Sequence, residues 1–258
     1  MAAPPAEARV ELVEVKSLAR DVLRHTYRFP GLARTAEPGQ FVQLEVQSGG
    51  PLPMTRRPLT VSDTDPDAGT FSVVFEVAGG GTSVLASSLE GSVRSVLGPL
   101  GRGYRLLAGD WLLVGGGMGA AGFPLLSASV DVKRTLIGAR NVEHLLRYGC
   151  VCAHCATEDG SFGRKGLVTD LCGEIRWKDY DNIALCGPLA MMEAVVSLVP
   201  RELQDRVQVS TESRMACGYG VCEGCVIPGR EGYIKCCTDG PVVTADRIDW
   251  QAWREAGL

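Results

Sequence analysis

"WLLVGGGMGAAGFPLLSAS", residues 111–129, decides how this chain folds. Four apolar residues, three consecutive glycines and a second apolar run read as a buried strand, a tight loop and a helix. The same order returns in "NIALCGPLAMMEAVVSLV", residues 182–199, and "KRTLIGAR", residues 133–140, supplies a further strand between them. Strands alternating with helices predict βαβ units and a parallel sheet.

Upstream the pattern is different. "VELVEV" (10–15), "FVQLEV" (41–46), "LTVSD" (59–63) and "FSVVFEV" (71–77) alternate or run apolar, and "EPGQ" and "DPDAGT" supply turns between them. Short strands with such turns predict an antiparallel barrel. Downstream of "VQVSTES" (207–213) regular periodicity ends and a cysteine-rich tail begins. The expected organisation is therefore a barrel over 1–107, an α/β domain over 108–210 and a small module over 211–258.

Bulk composition narrows the function classes. The chain has 258 residues, 45% of them hydrophobic, enough for a sizeable core. Its net charge of −4 gives a nucleic-acid partner no general electrostatic support. No apolar run is long enough to cross a membrane, so no membrane insertion is expected. "MAAPPAEARVELVEVKS" lacks the features of a signal peptide, which makes a cytoplasmic location the expectation. In that compartment ten cysteines serve metal or redox chemistry more readily than disulfides.

The tail carries the sharpest motif. In "MACGYGVCEGC" (215–225), Cys217, Cys222 and Cys225 are spaced C-x4-C-x2-C, and "KCCTDGPV" adds Cys236 and Cys237. Plant-type [2Fe–2S] centres use this spacing with a distant fourth cysteine. The glycines between let a loop turn its N–H groups towards sulfur. A zinc site would more usually show two C-x2-C knuckles, and purely structural cysteines would not need this crowding.

Three weaker signals accompany it. Arg57 heads an R-P-x-T run, and Gly79, Gly81 and Thr82 precede a short helical stretch, so each could hold a phosphate or be an ordinary surface feature. Gly115, Gly116, Gly117 and Gly119 resemble a dinucleotide loop without the strict G-x-G-x-x-G fingerprint, and Cys186, Gly187 and Pro188 stand at a second strand end. Met191, Met192 and Cys186 read equally well as core filler. Cys150, Cys152, Cys155 and His154 are read as buried thiols with a neighbouring histidine rather than a second metal site. His25 and His144 are read as surface residues.

In their order, these motifs resemble the ferredoxin–NAD(P) reductase family and, within it, the electron-transfer subunits of class 1B dihydroorotate dehydrogenases. The likeness runs from "PGQFVQL" through "RRPLTVSD", "GGGT", "VLGPLGRGY", "LLVGGGMG", "EDGSFGRKGLVTD" and "LCGPLAMM" to "RMACGYGVCEGC" and "CTDGPV". It implies FAD contacts at Arg57, Pro58, Leu59 and Thr60, at Phe75, Glu76 and Val77, and at Gly81 and Thr82. It implies NAD(H) at Gly115–Gly119 and Cys186–Pro188, and [2Fe–2S] ligands at Cys217, Cys222, Cys225 and Cys237. Glu76 stands where relatives carry a basic residue, which implies a backbone contact there. The resemblance also implies an FMN-containing catalytic subunit as partner, in a heterotetramer, with dihydroorotate oxidised on that subunit. NAD(P)H-oxidising subunits of hydrogenase, sulfide-oxidising and bifurcating complexes form the alternative. Arg140 and Glu143 leave NAD against NADP open.

Overall fold

The computed structural model describes residues 5–46, 56–150 and 153–257. Six antiparallel strands close into a barrel: β1 (Ala6–Ala19), β2 (Val22–Arg28), β3 (Phe41–Leu44), β4 (Arg57–Asp65), β5 (Thr70–Glu76) and β6 (Val93–Leu100). Their order round the barrel is β1-β2-β5-β4-β3-β6, with β6 returning to β1. Alternate residues point inward, so Leu12, Val42, Leu44, Val61, Val73 and Val96 are wholly buried. Helix α1 (Pro30–Thr35) packs beneath, and helix α2 (Gly80–Ala86) follows β5.

His25 is not a surface residue. It is fully buried on β2, 3.0 Å through Nδ1 from the Tyr27 hydroxyl and edge-on to Phe75. Burial, aided by the charge of Arg94, pushes its pKa down to about 4. A depressed folded-state pKa gives stability that is complete above the ordinary imidazole value of about 6.5 and lost as pH falls towards 4. Between pH 7 and 5 the protein should lose about 2 kcal/mol more than its His25→Leu variant. Urea unfolding of both at each pH measures this; equal losses would exclude the buried imidazole as the cause.

The second sheet has seven strands. β7 (Asp110–Gly116), β8 (Asp131–Ala139), β9 (Ala153–Thr157), β10 (Arg164–Lys165), β11 (Asn182–Cys186) and β12 (Val207–Ser210) pair in parallel in the order β10-β9-β8-β7-β11-β12. Helices α3 (Phe123–Ser127), α4 (Val168–Cys172) and α5 (Leu189–Leu198) complete the crossovers. Because β8 lies on one side of β7 and β11 on the other, the winding reverses between β7 and β11. Crevices at such reversals are where open α/β sheets bind ligands.

The tail is more regular than its sequence suggests. β13 (Val226–Gly229) and β14 (Gly232–Lys235) form a hairpin, and helix α6 (Trp250–Ala256) packs beside it. β15 (Val242–Thr244) returns to the large sheet, where Val243 pairs antiparallel with Val209 of β12. One continuous core joins Phe41 and Leu100 of the barrel, Leu112, Ile183 and Val207 of the sheet, and Cys225, Ile227 and Cys237 of the tail.

Candidate cofactor and metal centres

The cysteine loop is shaped by backbone that few side chains would allow. Gly218 and Gly220 have φ of +81° and +90°. A Cβ on Gly218 would fall 2.7 Å from Gln43 Cγ, and one on Gly220 would fall 2.8 Å from Thr238 Cγ2. This conformation turns amides onto sulfur: the Cys222 N–H points at Cys217 Sγ, 3.5 Å away. Burial alone would push the Cys217 thiol up, but N–H groups of Cys222, Tyr219 and Val221 bring it down to about 6. Cys217 is thus poised as a thiolate, the form that binds metal.

Cys237 and Cys225 meet deeper in the loop, each 2% exposed. Burial, and the Cys225 side chain beside it, push the Cys237 thiol up to about 12, while the Gly220 N–H opposes the shift. Without a cation the Cys237 sulfur stays protonated, and a cation would draw off its proton. Cys236 has a different polar neighbour. Its sulfur lies 3.5 Å from the Thr211 hydroxyl, which itself donates to the Pro241 carbonyl at 2.7 Å. The loop is closed from outside by Lys235 Nζ and Glu223 Oε1, 2.6 Å apart.

Among the described residues no group of three or more His, Cys, Asp or Glu side chains converges round one metal position. Sulfurs lined by amides fit an iron–sulfur core, whose sulfides and thiolates accept N–H bonds.

The two phosphate candidates come together. The Arg57 guanidinium of β4 lies against Gly81 so closely that a Cβ there would fall 2.3 Å from Nε. Thr82 Oγ1 accepts from the N–H groups of Ala78 and Gly79 at 3.0 and 3.1 Å, so this hydroxyl fixes the loop. Pro58, Leu59 and Thr60 continue β4 half-buried. Phe75 turns its ring into the barrel core, and Glu76 is exposed beside half-buried Val77. A fixed cation beside a glycine turn fits a pyrophosphate.

At the reversal point the glycine loops interlock. Gly115 of β7 pairs with Cys186 of β11. A Cβ on Gly119 would fall 2.1 Å from the Cys186 carbonyl oxygen, and one on Gly116 would fall 2.3 Å from Met191 Sδ. Gly117 has φ of +53°, and Gly187 packs under Met191 ahead of Pro188, which precedes α5. Met192 is core filler as read, 2% exposed. The side chain of Ser210 lies beside both the Cys186 thiol and the hydroxyl of buried Tyr104. These three residues come from separate segments, and no local spacing announces them.

Cys150 lies near Cys155, and burial pushes Cys150 up to about 12. His154 is exposed while Cys155 is buried. Cys152 lies outside the described residues. His144 is half-buried and held 2.7 Å from Asn141 Oδ1. Glu143 is paired with Arg20 at 2.8 Å, while Arg140 is exposed.

The family described as the iron–sulfur cluster binding domain of dihydroorotate dehydrogenase B matches residues 212–249. The chain is 34% identical to a dihydroorotate dehydrogenase B (NAD(+)) electron transfer subunit of Lysinibacillus sphaericus, over 92% of this chain and 96% of that one. A subunit of the same name from Bacillus velezensis is 37% identical over 82% and 87%. Among solved structures, a chain of an NADH-dependent reduced ferredoxin–NADP oxidoreductase, studied for flavin-based electron bifurcation, superposes with a TM-score of 0.83. It is 29% identical over 96% of this chain and 92% of its own. A ferredoxin reductase of carbazole 1,9a-dioxygenase, 22% identical over 81% and 70%, shares the fold with a TM-score of 0.65.

Proposed function

The chain belongs to the family of dihydroorotate dehydrogenase B electron-transfer subunits, and from that premise we propose that it carries electrons between a dihydroorotate-oxidising, FMN-containing catalytic subunit and NAD(H), in the cytoplasm, as part of pyrimidine biosynthesis. The single observation that carries this reading is the amide-lined sulfur loop of Cys217, Cys222, Cys225 and Cys237, packed in one core with the barrel and the nucleotide sheet.

FAD exchanges an electron pair with a nicotinamide and single electrons with a [2Fe–2S] cluster, and so links the two. Arg57, with the Gly79–Thr82 turn, would hold the FAD pyrophosphate, and Pro58–Thr60 with Phe75–Val77 would line its ring. Gly115, Gly116, Gly117 and Gly119 let the NAD(H) backbone come close, and Cys186, Gly187 and Pro188 floor the nicotinamide end. Cys186, its thiol pushed up to about 12 by burial, stays neutral there and brings no charge to the hydride path. The dinucleotide of the named relatives is NAD(+), which supports NAD over NADP. With this division of parts the barrel is the FAD domain, the parallel sheet the NAD domain, and the tail the cluster module.

A second reading keeps the same chemistry with another partner. The match to the bifurcating oxidoreductase, at TM-score 0.83, supports a place in a larger redox complex.

Purification from the native cell with its bound partners tests both. An FMN-containing subunit that reduces this chain on adding dihydroorotate is the expected result. A ferredoxin-linked or hydrogenase partner would move the chain to the second reading, and zinc without iron or flavin would end both. On the isolated holoprotein, Arg57→Ala should weaken FAD retention by roughly 10- to 100-fold, the share of a charge-assisted contact to phosphate. Equilibrium dialysis against free FAD measures it, and unchanged affinity would remove Arg57 from the site.

A further inference from the structure

Gln43 occupies the centre of β3, where Val42 and Leu44 point into the barrel core. Strand alternation puts Gln43 with Phe41 on the other face, and Phe41 shares its core with Cys225 and Cys237. Gln43 is 0% exposed. Yet among the described residues neither its Nε2 nor its Oε1 has a hydrogen-bond partner. A primary amide buried unpaired is costly, so proteins keep one where something accepts its protons.

What faces the amide is the cysteine loop. A Cβ on Gly218, the residue after Cys217, would fall 2.8 Å from Gln43 Nε2. The carboxamide end is turned to the loop, and its N–H group is the donor it can offer there. Gln43 also pairs across the ladder with Pro58, next to Arg57. It thus pairs with the barrel's proposed flavin strand and also faces the sulfur loop.

Resting on the cluster reading above, we propose that Gln43 is a positioning residue for the cluster, donating its side-chain N–H to the sulfur shell built on Cys217 and raising the potential at which that shell takes up an electron. A donor to sulfur draws charge from the shell and favours the state with one more negative charge. Phe41 and partly buried Leu97 keep the surroundings apolar, which strengthens such a bond.

The test is an EPR-monitored potentiometric titration of the full-length holoprotein and two variants. Gln43→Leu should keep its iron and lower the cluster midpoint, so that the reduced fraction at a fixed potential falls several-fold. A tenfold fall corresponds to about 59 mV for one electron. Gln43→Glu, of the same shape but with a charge in place of the donor, should fall further. In both, the flavin midpoint should move less than the cluster's. An unmoved cluster midpoint in iron-replete Gln43→Leu, or a shift confined to the flavin, overturns the proposal. If both variants lose iron, wild-type protein labelled with side-chain 15N-glutamine decides. A 15N coupling on the cluster signal supports the donor role, and its absence removes it. Wild-type protein without iron and sulfide would sink the cluster reading as well, whereas a loaded cluster with an unmoved midpoint sinks this inference alone.

Discussion

Cys237→Ser will strip the cluster signal from the protein, whereas Cys236→Ser, one residue away, will leave it. Cys237 lies with Cys225 and receives the Gly220 N–H, so its sulfur belongs to the loop. Cys236 sits wholly buried with its sulfur near the Thr211 hydroxyl. Replacing a thiolate ligand by a hydroxyl removes a soft donor from an iron site and should abolish the reduced-state EPR signal with most of the iron. Cys236→Ser should instead cost on the order of 1 kcal/mol of stability from a hydroxyl in an apolar core, with iron unchanged. Iron and labile-sulfide assays on both variants read the result. The reverse pattern would transfer the fourth ligand to Cys236.

Gly119→Ala should nearly silence reduction by NADH while leaving the flavin bound. The added methyl would stand 2.1 Å from the Cys186 carbonyl oxygen and 2.7 Å from the Gly187 nitrogen. Both are backbone atoms, so no rotamer change relieves the clash. The loop after β7 and the loop after β11 must part, and the proposed nicotinamide floor moves with them. A displacement of about 1 Å costs a reaction on the order of 100-fold. Stopped-flow reduction with NADH should show that loss, and chemical reduction with dithionite should proceed as in the unaltered protein. Normal NADH kinetics in this variant would place the nucleotide elsewhere.

The parts of the molecule legible in the sequence were those whose signals are local. Gly115–Gly119 after an apolar strand needed only a few adjacent residues to be read, as did the C-x4-C-x2-C spacing. Choosing Cys237 over Cys236 drew on family likeness, because adjacent cysteines look alike until Thr211, distant in sequence, shows which way one of them faces. The contact of Arg57 with Gly81 joins residues that no spacing rule connects. His25 is buried against the surface reading, although the sequence carries the signal: in "VLRHTYR" strand alternation puts His25 on the same face as Tyr27, which is itself fully buried. "VVT" is too short to announce β15 as a strand, and its place in the sheet depends on a partner some thirty residues earlier.

That strand gives the tail a duty apart from iron. β12 has β11 on one side and β15 on the other. A chain ended just after Glu212 would therefore leave the backbone donors and acceptors of β12 bare along one border of the sheet. Bare borders recruit other chains. Such a fragment, even with its proposed FAD and NAD residues intact, should self-associate rather than survive as a free-standing NADH oxidase, and light scattering would show it. The tail that would pass electrons outward is also the selvedge that keeps the rest of the protein from fraying into its neighbours.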